Sequence, residues 1–207
     1  YLAFARSNFQ EQIHELYHDL ICFGTAVMFI EQDKENQVRF QTRHCRELFL
    51  SEDDKGRVDT VYRDFHMPAR AVIQRFGEEN VDNSVLKKNR TNPYDKVRIL
   101  HAVYPREERD IQRIDTKNKP FASVYIDPTA KTVLSESGFD EFPYVAPRFL
   151  KASFEIGYGR SPAMTALPDI KMLNKMSEVT IRAAQKQVDP PLLVPDDGFM
   201  MPIRTVP

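Results

Sequence analysis

The sequence predicts an α+β fold in which a mixed, mainly antiparallel sheet with flanking helices is followed by one long helix. Three observations lead there. Short runs rich in β-branched and aromatic residues recur between turn residues. Brief helical patterns interrupt them, and after Gly157 the pattern becomes helical and stays so to about Val188.

Within residues 2–22, Phe9, Ile13, Leu16, Tyr17 and Leu20 recur at helical spacing, so a helix with one buried face is expected, ending before Gly24. Residues 25–31 and 38–42 read as a strand pair turned around residues 33–36. Residues 48–51 and 58–65 read as a second pair, turned by Asp53-Asp54-Lys55-Gly56. Pro68 suits the start of a short helix running through Phe76 and stopped by Gly77, and residues 82–88 suit another.

Further strands are expected at 96–104, 122–126 and 132–135, with turns at Asp127-Pro128 and Ser137-Gly138 and a polar stretch over 105–120. Ser161 as N-cap and Pro162 at the first helical position then open the long helix, and Asp189-Pro190-Pro191 stops it. Its expected length is about 39 Å at 1.5 Å per residue, with Pro168 inside it as a kink point.

The chain has 207 residues, enough for one ordinary domain with an appended element. With 29 Lys+Arg against 30 Asp+Glu, the net charge of -1 predicts no general attraction to nucleic acid, so any such contact must come from local charge. Two cysteines, Cys22 and Cys45, are too few for a disulfide framework and fit a reducing compartment. No apolar run reaches the ~20 residues that span a bilayer, so no membrane partner is expected. The chain opens inside a helix-like stretch and stops at Thr205-Val206-Pro207, which reads as an internal fragment.

Several motifs suggest chemistry. His14-Glu15-Leu16-Tyr17-His18 is a literal H-E-x-x-H, the helical spacing that sets two imidazoles beside a carboxylate for zinc-dependent hydrolysis. The extended form of that motif is absent, and no third ligand stands out. Residues 159–163 approximate a nucleophile elbow around Ser161, yet all five histidines precede it, the wrong chain order for that triad. Gly157-Tyr158-Gly159 lacks the third glycine of a phosphate-cradling loop, and Asp53, Asp54 and Asp59 lack the order of a calcium loop.

On the long helix, Lys171, Lys175, Arg182 and Lys186, with Glu178 among them, fall within about 80° at ~100° per residue. They form a basic stripe suited to phosphates, to an acidic neighbour, or simply to solvent. Apolar residues spread over so much of the remaining circumference that contacts on two sides are expected.

The run GYGRSPAMTALPDIKMLNKMSEVTIRAAQKQVDPPLLVPDDG, residues 157–198, closely resembles the portal proteins of tailed phages, the head-to-tail connecting proteins of short-tailed phages and prophages. Upstream, a helix, the strand Gly-Thr-Ala-Val-Met-Phe-Ile, an acidic turn with Gly-Arg-Val-Asp and a helix ending at Phe76-Gly77 are similar to the same family. The resemblance implies a longer subunit that assembles as a twelve-membered ring at one capsid vertex. Residues 1–156 would then form a wing-like α+β domain, 157–189 a stem helix and 190–207 the start of a clip.

It further implies a noncatalytic role without cofactors, as the passage for double-stranded DNA in packaging and ejection. The implied partners are the subunit's own copies, terminase, tail adaptor proteins and capsid protein. The implied location is the virion, after assembly in the host cytoplasm, with Lys171, Lys175, Arg182 and Lys186 facing DNA or a neighbouring subunit. The competing expectation is a zinc-dependent hydrolase built on His14, Glu15 and His18.

Overall fold

The computed structural model describes residues 2–33, 37–110, 113, 115–151 and 157–190. The chain divides into two compact units, Tyr1–Thr165 and Ala166–Pro207. In the first, the α+β expectation holds, with the strands shared between two sheets. β1 (Val27–Asp33), β2 (Gln37–Arg43) and β8 (Tyr144–Val145) form one, in the order β2-β1-β8. β3 (Leu48–Glu52), β4 (Val58–Pro68), β5 (Lys96–Pro105), β6 (Phe121–Asp127) and β7 (Thr132–Phe139) form the other, in chain order. Every pairing among them is antiparallel.

The chain opens with two helices where one was expected, α1 (Leu2–Arg6) and α2 (Phe9–Phe23). Ser7 and Asn8 break them apart because their side chains compete for backbone groups. Ser7 Oγ donates to the Phe4 carbonyl at 2.9 Å, while Asn8 exchanges two hydrogen bonds with the backbone of Phe40 at 2.8 and 3.0 Å. One helical turn on, Gln12 accepts from the Thr42 amide at 2.5 Å. The outward amides of edge strand β2 are thereby occupied, which blocks pairing with another strand there.

Alternation along β1 sets the layers. Met28 and Ile30 point to α2, where Leu16 is buried and Phe9, Ile13 and Leu20 pack beside it. Tyr17, expected on the buried face, is instead 55% exposed, because one residue beyond Leu16 is about 100° around the helix. Val27 and Phe29 point the other way, onto Leu48, Leu50, Val61 and Val103 of the five-stranded sheet. Burying each such side chain stabilises the fold by roughly 1.5–3 kcal/mol.

The far half of that sheet face is covered by α3 (Ala69–Phe76) and α4 (Asn83–Thr91), whose Val72, Phe76 and Val85 pack on Phe65, Val97 and Ile99. Both helices start as their sequences suggest: Pro68 precedes α3 in extended conformation, and the Asp82 carboxylate caps α4 by accepting from the Ser84 amide at 2.8 Å. The sheet differs from expectation at β7. Ser137 and Gly138, expected to turn, continue the strand opposite Ser123 and Ala122. A Cβ at position 138 would lie 2.7 Å from the Thr116 carbonyl oxygen, so this glycine permits a close approach.

The second unit holds most of α5, which runs from Pro162 to Val188 and continues through Pro168. Among the described residues, no helix is long and apolar enough to cross a membrane.

His101 lies between the two halves of the core and is 3% exposed. Its ring stacks on Tyr125 at 3.9 Å, with Ser123 Oγ 2.9 Å from Nε2 and the Tyr144 hydroxyl 3.3 Å from Nδ1. Burial, then the nearby Arg75, Arg63 and Arg43 guanidiniums, hold its pKa down at about 3. The unfolded chain therefore binds a proton that the folded chain refuses between about pH 6.5 and about pH 3. Within that window His101 lowers stability as the pH drops, by up to about 1.4 kcal/mol per unit. His101→Gln is expected to flatten the acid side of the stability profile over pH 6.5–4, measured by denaturant unfolding. An unchanged slope would show that His101 is not the group responsible.

Candidate assembly helix and its anchor

The start of α5 is fixed to the sheets by residues 157–161. Ser161 is buried, and its Oγ donates to the Cys22 carbonyl and accepts from the Met164 amide, both at 2.9 Å. It is a helix cap, as its position before Pro162 suggests. Its hydroxyl hydrogen is committed to a main-chain carbonyl, which leaves the nucleophile reading of Ser161 without support.

Gly159 N donates to Thr25 Oγ1 at 2.8 Å, and the Tyr158 hydroxyl donates to the Leu48 carbonyl at 2.9 Å. Gly24, at φ +76°, lets the end of α2 turn into β1 directly beneath this segment. A Cβ there would lie 2.5 Å from both Arg160 C and Ser161 N, so backbone meets backbone.

A buried carboxylate completes the anchor. The Glu52 side chain, 8% exposed at the end of β3, pairs with Arg148 and with Lys151 Nζ at 2.5 Å, and accepts from the Gly157 amide at 3.0 Å. Arg148 also donates to the Gly56 carbonyl at 3.0 Å, which joins the β3–β4 turn to the same network. In that turn Asp53 Oδ1 accepts from the Lys55 and Arg57 amides, so Asp53 serves the backbone, not a cation.

Along α5 no residue is buried. Lys171, Lys175, Arg182 and Lys186 lie on one exposed face, as their spacing requires. Glu178 takes up two of them, with Lys175 Nζ at 2.9 Å and Arg182 at 2.5 Å. Lys171 and Lys186 have no ion pair among the described residues. The stripe thus carries four cations against one carboxylate. On one flank lie Met172, Met176 and Val179; on the other lie Leu167, Ile170, Leu173 and Ile181.

His14, Glu15 and His18 line an open cleft of about 370 Å³ on the outer side of α2, with Asp19, Thr42 and His44. His18 has Cys22 Sγ at 3.9 Å from Nε2, and His44 Nδ1 accepts from the Arg46 amide at 3.1 Å. Among the described residues, no group of three His, Cys, Asp or Glu side chains is placed to hold a metal ion. A catalytic zinc needs three protein ligands, so the H-E-x-x-H at 14–18 supplies spacing without a site.

The model of one protein family, described as bacteriophage head to tail connecting protein, matches residues 1–207. The chain belongs to this family. The portal protein of Salmonella phage epsilon15 is 32% identical over 196 residues, 93% of this chain and 35% of the relative. The probable portal protein of Bordetella phage BPP-1 is 32% identical over 209 residues, covering 100% of this chain and 38% of the relative. The chain therefore spans little more than a third of the length of these curated relatives.

For this head-to-tail connecting chain, the sequence pointed to the cap, the basic stripe and the two apolar flanks of α5. It did not point to the Glu52 network, whose members are separated by about a hundred residues and carry no motif. The only local signal is an acidic residue at an otherwise apolar strand's end. Removing one member of a buried ion pair costs about 3–5 kcal/mol, because the partner charges stay buried and unmatched. Glu52→Ala is accordingly expected to lower the unfolding free energy by about 3 kcal/mol and to open residues 148–161 to protease. Stability and cleavage equal to wild type would show that the anchor does not depend on Glu52.

Proposed function

We propose that this chain is part of a portal subunit, a structural, noncatalytic protein whose copies form a ring around a channel for double-stranded DNA during packaging and ejection. The observation that carries this reading beyond family membership is the surface of α5. Nine large apolar residues from Met164 to Val188 are 44–87% exposed, on a helix of 27 residues with none buried. A surface of that kind marks an interaction site, and its two flanks suit two neighbours.

A ring satisfies both flanks at once, since each copy of α5 meets one neighbour on either side. The basic stripe, lying between the flanks, then faces along the ring radius, and copies of Lys171, Lys175, Arg182 and Lys186 form belts of positive charge. Such belts contact phosphates without reading sequence, which is what a passage that lets DNA slide requires. The identity of the two relatives as a portal protein and a probable portal protein supports the same reading.

On this reading residues 1–156 are the wing-like domain, 157–189 the stem helix and 190–207 the start of the clip; residues 191–207 lie outside the described residues. The full-length ring holds twelve copies at the portal vertex of the virion. It is assembled in the bacterial host cytoplasm, docks terminase during packaging, and meets capsid protein and tail adaptor proteins. None of these roles calls for a cofactor.

Lys171→Ala combined with Lys186→Ala, the two cations without ion pairs, tests the stripe in the full-length protein. Rings of unchanged mass are expected, with weaker retention of duplex DNA. The log–log salt dependence should become shallower by about 0.9 for each phosphate that the double variant no longer neutralises. Unchanged affinity and slope would place the stripe away from DNA.

A further inference from the structure

Resting on the ring reading above, we infer that unit Tyr1–Thr165 has two complementary docking faces, the outer stripe of α2 and the outer face of the five-stranded sheet, and that α2 of one copy packs on the sheet of the next. The layers place these faces on opposite sides. α2 covers one side of the β2-β1-β8 sheet, and the inner face of the five-stranded sheet covers the other. The outer stripe of α2 and the outer face of the sheet therefore look away from each other.

Both faces are apolar where solvent alone would favour polar residues. On α2, Tyr17 and Ile21 stand one turn apart and are 55% and 53% exposed. On the sheet, Phe49 lies directly opposite Tyr62 in the β3–β4 register, at 59% and 48% exposure, and the row continues through Ala102 and Val124. An antiparallel sheet with one solvated face ordinarily shows polar residues there. Aromatic residues in such a row suit the centre of a protein interface.

Charge distinguishes the two faces and pairs them. α2 carries Glu11, Glu15 and Asp19 and has no Lys or Arg. On the outer sheet face the carboxylates are already matched: Asp64 by Arg98, and Glu136 by Arg106 and Lys117. Lys96 has no ion pair among the described residues and leaves an excess of positive charge on that side. Like-on-like contact of two α2 stripes would set carboxylate against carboxylate, whereas α2 on sheet sets carboxylate against cation. A contact between unlike faces propagates head to tail, and such a contact closes a ring. The capped amides of β2 leave face packing, not strand addition at that edge, as the mode of contact.

Thiol cross-linking of the full-length protein tests this, in a background of Cys22→Ser and Cys45→Ser. With a short bismaleimide, the double variant Ile21→Cys, Tyr62→Cys should give a covalent ladder rising to the size of the ring. Either single variant alone should give no covalent product, and a mixture of the two singles should give dimer and nothing larger. Rings that assemble normally but yield no ladder, or a dimer from Ile21→Cys alone, would overturn the pairing of faces while leaving the ring intact. Wild-type protein that stays monomeric would overturn the ring and the pairing together.

Discussion

The close backbone approach at Gly24 is the constraint on which the placement of α5 depends. The end of α2, the beginning of β1 and residues 159–161 meet there with no room for a side chain. Ser161 bonds to the last turn of α2, Gly159 to Thr25 at the head of β1, and Gly157 to Glu52 at the end of β3. Three elements far apart in the chain thus hold the first turn of the long helix. A helix whose first turn is fixed in this way transmits any load on it to both sheets, a useful property in a part that neighbouring copies press from two sides.

Folding and assembly draw on different surfaces. The first unit buries three apolar clusters, and His101 joins two of them through Tyr125 and Tyr144. These contacts are complete within one chain. α5 has no such interior: its apolar residues lie on the surface, and its stripe of cations is only partly neutralised by Glu178. Burial of those flanks has to come from assembly, which makes the stability of α5 a property of the oligomer more than of the subunit.

Local chemistry was legible in the sequence, and contacts across the chain were not. Ser161-Pro162, Asp82 and Gly24 marked helix ends because capping involves only near neighbours. Strands announced themselves through β-branched and aromatic residues. Ser7-Asn8, by contrast, breaks the first helix through hydrogen bonds to Phe40, a partner more than thirty residues away. Gly138 looked like a turn because its real constraint, the Thr116 carbonyl, lies in another segment. Tyr17 was assigned to the buried face on spacing alone, though two adjacent residues cannot both centre one stripe. The H-E-x-x-H pattern shows the same limit from the other side: spacing along α2 is local, but a zinc site needs a third ligand from elsewhere. The basic stripe was legible as a face, while its destination depends on copies that one chain does not contain.

The central claim is that the apolar flanks of α5 are covered by neighbouring copies in the working assembly. Methionine oxidation in the full-length protein, read by mass spectrometry, tests this directly, because Met172 and Met176 lie on one flank and are more than half exposed in the single chain. Rates at both residues several-fold slower in the assembled fraction than in the monomeric fraction are the result expected. Equal rates in the two fractions would mean that α5 stays uncovered in the assembly, and would contradict the account.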